Sequence, residues 1–294
     1  MKLKHWSTFA AVAAGLTAAA ASAPGLQAAS GGLQVRVFRF VDSSRTIRLT
    51  DGRRVARSLE TIVRYPSTGG AHPLVVFAHG FALTPASYTG LLDAGAAAGY
   101  VVAAPLFPLT NANARPAPVE ADIVNQPRDM SFVITSLLAM NRRSTSVLGG
   151  EIDATHIAVA GQSDGGVTAL AVAYDSRYRD RRVTAALIMS GARLTGMGPF
   201  PRRGPPLLAL QGTADPLNSP ATTAAYFGLA VRPKFLLWLV GASHLPPYTD
   251  QQPQLGIVER ATIAFLDHYL KGRPLRVFEQ TARDPGLTRL IAEP

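Results

Sequence analysis

Ser163, Asp215 and His244 are the three residues of this chain whose side chains combine into a nucleophile. A serine hydroxyl attacks a carbonyl carbon only when a base takes its proton. An imidazole serves as that base when a carboxylate fixes its tautomer and stabilises the imidazolium. Ser163 stands in "GQSDGG" (161–166), a G-x-S-x-G turn between the apolar run "IAVA" and a second apolar run of different period. The pattern alone is common. Its partners make it informative: Asp215 comes 52 positions later and His244 a further 29. Each of the three follows a strand-like segment, and each interval holds strand and helix material. Gly161 and Gly165 fit a sharp corner where the backbone crowds any side chain. A helix opening just after Ser163 would aim its positive end at developing negative charge.

The oxyanion of such a reaction needs two backbone N–H groups. The residue after the nucleophile, Asp164, offers one, and Phe81, in the loop "AHGFALTPASY", offers the other. The expected substrate-binding lips are Phe81, Tyr88 and Tyr248, from that loop, "LFPLTNANARP" (106–116) and "HLPPYTD" (244–250). His79 reads as a structural donor shaping the Phe81 loop. Ser87 and Ser190 read as caps or turn residues. Asp250 follows no strand, His156 precedes one, His72 is a loop residue and His268 falls within a helix.

The elements that must position these groups alternate. "LQVRVFRFV" (33–41) and "LETIVRYP" (59–66) read as antiparallel strands. Continuous apolar runs at 72–80, 99–105, 156–161, 184–191, 205–212 and 234–241 read as strands buried on both faces of a parallel sheet. Helical periodicity predicts helices over 87–99, 126–141, 165–174, 219–230 and 255–272. The fold class is therefore α/β: a mostly parallel sheet of about eight strands flanked by helices. Only "ARLTGMGPFPRRG" (192–204) separates two consecutive strands, which leaves no room for a cap domain. The tail 273–294 is polar with two short apolar patches and reads either as a last helix or as a loose end.

The chain of 294 residues is 47% hydrophobic and 16% charged, enough for a full core in one domain. Residues 1–29 read as a secretory signal peptide: basic Lys2 and Lys4, an apolar stretch from Phe9 to Ala21, and small residues before cleavage near Ala28 or Ala29. That leaves 30–294 as a single domain, secreted or periplasmic, with its core at about 55–272. No other segment reaches the roughly eighteen apolar residues of a membrane helix. There is no cysteine, which excludes disulfides and thiolate zinc sites. No His/Asp/Glu grouping has ligand spacing, so no metal or cofactor is expected. The formal charge is +10, about +8 without Lys2 and Lys4 (10 − 2). The arginines are scattered without interleaved aromatics, which argues against nucleic acid as a partner.

On these residues the chain resembles the α/β-hydrolase superfamily over about 55–272. Its segment "HGFALTPASYTGLLDAGAAAGYVVAAPLFP" (79–108) is similar to the chlorophyllase, dienelactone hydrolase and bacterial polyester-hydrolase (cutinase-like) branch. The resemblance implies a usually lidless site acting on esters. It assigns Ser163, Asp215 and His244 as triad and the backbone of Phe81 and Asp164 as oxyanion donors. The elbow departs from the branch in carrying an acidic Asp164 after the serine. The expected function is a secreted serine carboxylic-ester hydrolase with an open site for bulky or polymeric esters, its only implied partner an ester substrate. An acyltransferase using the same triad, and a non-catalytic binding protein on the same fold, are the alternatives.

Overall fold

A computed structural model describes residues 32–49 and 52–294. The expected signal peptide lies outside the described residues, which belong to one compact unit, Gly31–Pro294.

Nine strands form one sheet. In chain order they are β1 (Leu33–Arg48), β2 (Arg54–Pro66), β3 (His72–Ala78), β4 (Val101–Leu106), β5 (Ile152–Gln162), β6 (Val183–Met189), β7 (Leu207–Gly212), β8 (Lys234–Leu239) and β9 (Thr288–Glu293). The helices are α1 (Thr89–Ala97), α2 (Gln126–Asn141), α3 (Asp164–Tyr174), α4 (Pro220–Leu229), α5 (Gln254–Lys271) and α6 (Leu275–Thr281). Across the sheet the order is β1-β2-β4-β3-β5-β6-β7-β8-β9. The six strands from β4 to β8 are mutually parallel, while β1, β2 and β9 run antiparallel to their neighbours. Between β6 and β7 no helix forms, so no cap domain covers the sheet.

Buried apolar strands force two cores. On β3, Leu74, Val76 and Ala78 join a cluster with α2 and α3, whereas Val75 and Phe77 join one with α1 and α5. This is the period of two expected of a strand covered on both faces. Register then fixes where chemistry sits. Gly161 pairs with Ala78 and with Ile188, Met189 with Leu210, and Gly212 with Leu239. The carboxyl ends of β3, β5, β6, β7 and β8 therefore finish side by side, where ligands approach open parallel sheets.

Two differences from the sequence expectation stand out. First, the polar stretch after Val41 continues β1 to Arg48, with a register irregularity between Asp42 and Thr46. Polar residues of this hairpin form a buried ionic network. Arg57 of β2, 2% exposed, makes paired hydrogen bonds to Asp122 and Asp129, and Arg45 reaches Asp129 and Asp42. The hairpin is thereby fastened to α2 and the turn before it. Second, the tail is neither loose nor only helical. Its apolar patches become α6, which buries Phe278 against Phe235 and Phe265, and β9, which gives the sheet its ninth strand along β8.

Candidate active site

Ser163 sits at the corner between β5 and α3 with φ 57° and ψ −123°, a left-handed conformation that costs a non-glycine residue of the order of 1–3 kcal/mol. Neighbours hold it there. Its N–H donates to Met189 O (2.9 Å), and its carbonyl accepts from Val167 N–H (2.9 Å). The flanking glycines are obligatory on contact grounds. A Cβ on Gly161 would lie 2.1 Å from Gly165 O, and one on Gly165 would lie 1.9 Å from Ala78 O.

His244, in the loop after β8, brings Nε2 to 2.8 Å from Ser163 Oγ and Nδ1 to 2.7 Å from Asp215 Oδ2. A carboxylate only accepts, so Nδ1 carries the proton and Nε2 is free to accept from the serine hydroxyl. Asp215, in the loop after β7, is 6% exposed. Burial alone would raise its pKa. The hydrogen bond from His244 and the N–H groups of Asn218 and Leu217 outweigh burial and hold it below the usual carboxylate range. The three sequence-expected side chains thus meet in one hydrogen-bonded line.

Two glutamines, absent from the sequence reading, brace this line. Gln211 donates to Asp215 Oδ2 (3.0 Å) and accepts from Thr223 Oγ1 (2.7 Å). Gln162 donates to His244 O (2.9 Å) and accepts from the Tyr88 hydroxyl (2.8 Å), which itself accepts from Gly80 N–H (3.1 Å). The loop that carries the histidine and the loop that carries Phe81 are therefore joined through one side chain next to the serine. Gln162 was visible in "GQSDGG", but a glutamine there matches no catalytic pattern.

Phe81 is half-buried. Its neighbours Ala82 and Leu83 donate their N–H groups to Thr110 O and Gly80 O, whereas the Phe81 N–H has no partner among the described residues. Asp164 N–H, the first of α3, precedes the intrahelical ladder and is likewise available. His79 is 1% exposed. It accepts from Phe107 N–H at Nε2 (3.1 Å) and meets Gly80 O through Nδ1 (2.8 Å), bracing the Phe81 loop, and burial pushes its pKa down to about 4.

The expectation that Tyr88 and Tyr248 line the substrate is corrected. Both are 0% exposed. Tyr88 is spent on Gly80 and Gln162, while the Tyr248 hydroxyl bonds Ser190 Oγ (3.0 Å) and Leu210 O (3.3 Å). Both rings came from loop segments by sequence, yet they fill the core below the site. Asp250 is bonded by Thr249, His156 pairs with Asp153, His72 meets Thr68 O and His268 meets Arg273 O, none of them at Ser163. Among the described residues, no cluster of His, Cys, Asp or Glu could hold a metal ion. A trough of about 490 Å³ lies by the β1–β2 hairpin, and a void of about 40 Å³ lies between the sheet, α1 and α5; neither is lined by a triad residue.

Comparison with known proteins follows the same line. No curated protein matches the sequence. Among solved structures, a ferulic acid esterase from Streptomyces cinnamoneus superposes with a TM-score of 0.67 at 20% identity, over 90% of this chain and 96% of that one. At that identity the likeness is one of fold. The family model for chlorophyllase matches residues 36–224, that is 189 of 294 positions (224 − 36 + 1), and includes Ser163 and Asp215. The chain therefore belongs to the chlorophyllase family, within the α/β-hydrolase superfamily, and is an esterase-type hydrolase.

Proposed function

We propose that the chain is an exported serine carboxylic-ester hydrolase working through an acyl-enzyme. The observation that carries the reading is the 2.8 Å and 2.7 Å pair of contacts from His244 to Ser163 and Asp215. His244 Nε2 takes the Ser163 proton as Oγ bonds the ester carbonyl carbon. The carbonyl oxygen becomes an oxyanion held by the N–H groups of Phe81 and Asp164, at the positive end of α3. His244 then gives the proton to the leaving alcohol as the ester C–O bond breaks. Water, deprotonated by the same imidazole, releases the acid and restores Ser163. Asp215 stays ionised throughout and stabilises the imidazolium.

Several features support the outline of this reading. The corner strain at Ser163 is a form of pre-organisation. The lack of a cap domain between β6 and β7 suits a bulky or polymeric ester, and half-buried Phe81 offers an apolar contact for its acyl group. An aromatic acyl ester is one candidate, on the analogy of the ferulic acid esterase. The N-terminal pattern of residues 1–29 is the ground for export. In the test, Ser163→Ala abolishes turnover of p-nitrophenyl butyrate, a fall on the order of 10³-fold or more, while circular dichroism stays that of the wild type. Turnover near the wild-type rate in that variant would refute the reading.

A further inference from the structure

Asp164 differs from every other aspartate described. The others each have a hydrogen bond or an ion pair, whether buried like Asp122 and Asp129 or exposed like Asp250. Asp164 has neither, and its Oδ2 is shut off from water with no partner among the described residues. A carboxyl group has about four acceptor positions and is expensive to bury unsatisfied. This one is also the residue after the nucleophile. The chain has 29 lysines and arginines, yet the charge felt most strongly by Asp164 is that of an acid, Glu120. Asp164 Oδ1 is not shut off in this way and the residue as a whole is half-buried, so a ligand can reach the carboxyl.

Covalent geometry says where a ligand would meet it. If the Asp164 N–H holds the oxyanion at about 2.9 Å, the carboxyl carbon of the same residue lies within roughly 7 Å of that oxygen. The group it can touch is therefore two to four bonds from the scissile carbonyl. The leaving alcohol must lie by His244, which protonates it. Asp164 instead opens α3, which packs against β3 and against the turn 120–125 that precedes α2. The part of the substrate beside Asp164 is thus the acyl chain.

We propose that the Asp164 carboxyl is a specificity-determining acceptor that takes a hydrogen bond from a hydroxyl on the acyl chain, so that the preferred substrates are hydroxyacyl esters. This rests on the serine-esterase reading above. A hydroxyl suits the group because it can donate to a carboxylate or accept from a carboxylic acid, whichever form prevails.

The experiment compares p-nitrophenyl 3-hydroxybutyrate with p-nitrophenyl butyrate, as the ratio of their kcat/KM values. Wild type favours the hydroxy ester. Asp164→Leu, close in size but without an acceptor, loses that preference by about 10–100-fold, the scale of one hydrogen bond to a charged group. Asp164→Asn, which keeps one acceptor oxygen, retains part of it. A ratio unchanged in Asp164→Leu overturns the proposal, even if both esters slow together, because Asp164 then serves the fold or the oxyanion hole rather than the acyl chain. No preference in the wild type overturns it as well. Failure of the underlying reading looks different: Ser163→Ala would then hydrolyse both esters.

Discussion

Ionised Asp164 works against folding. Burial, with the charge of Glu120 added, pushes its pKa up from 3.8 to about 6. A raised carboxylate pKa means the folded chain holds its proton more tightly than the unfolded one. This group therefore destabilises nothing below about pH 4, and its penalty grows as pH rises from 4 to 6 and stays constant above. Asp164→Asn carries no such penalty. It should raise stability by about 1–2 kcal/mol at pH 7.5, after allowance for partial exposure, and the gain should shrink toward zero near pH 4. Thermal melts of both proteins at the two pH values check this, and a gain equal at both would remove the electrostatic cause. The same scale shows what the sequence disclosed. The meeting of Ser163, Asp215 and His244 was legible because each follows the carboxyl end of a strand, which a backbone pattern reveals. Tyr88 and Tyr248 were misjudged because a loop aromatic does not declare which way its ring turns. Gln162 and Gln211 were missed because their role exists only through partners distant in sequence, at Tyr88, His244 and Thr223.

Among the elements, the apolar runs translated almost directly. The predicted helix over 126–141 is α2, and the one over 255–272 is α5 within a residue at each end. Continuous hydrophobic strands admit few alternatives once helices separate them. The polar half of β1 and the tail did not translate, because their places depend on long-range partners: Asp129 for Arg45, and the open edge of β8 for β9. The tail is a structural element by this account. Phe278 is 0% exposed, with ring centroids 5.1 Å from Phe235 and 5.6 Å from Phe265. Phe278→Ala should cost about 3–5 kcal/mol in a urea titration, as for other large buried aromatics. A loss below about 1 kcal/mol would mean that α6 contributes little to the core.

Among the described residues no cap domain stands over the strand ends. The segment joining β6 to β7 has no helix, and no helix among the described residues is long and apolar enough to cross a membrane. An uncovered site has nothing to open at a lipid or polymer surface. In a series of esters of increasing chain length, the rate should saturate smoothly with concentration and show no jump at the solubility limit. A sharp rise only above that limit would require a mobile cover. The absence of a cap was legible in the thirteen residues of 192–204, since a helical domain needs more chain than that.

The most direct test of the central claim is covalent. A fluorophosphonate probe reacts only with a serine that a neighbouring base has activated. After labelling and proteolysis, one adduct is expected, on Ser163, with ester turnover lost in proportion, and no adduct in Ser163→Ala. Full turnover in the presence of the probe, or an adduct on any residue other than Ser163, would contradict it.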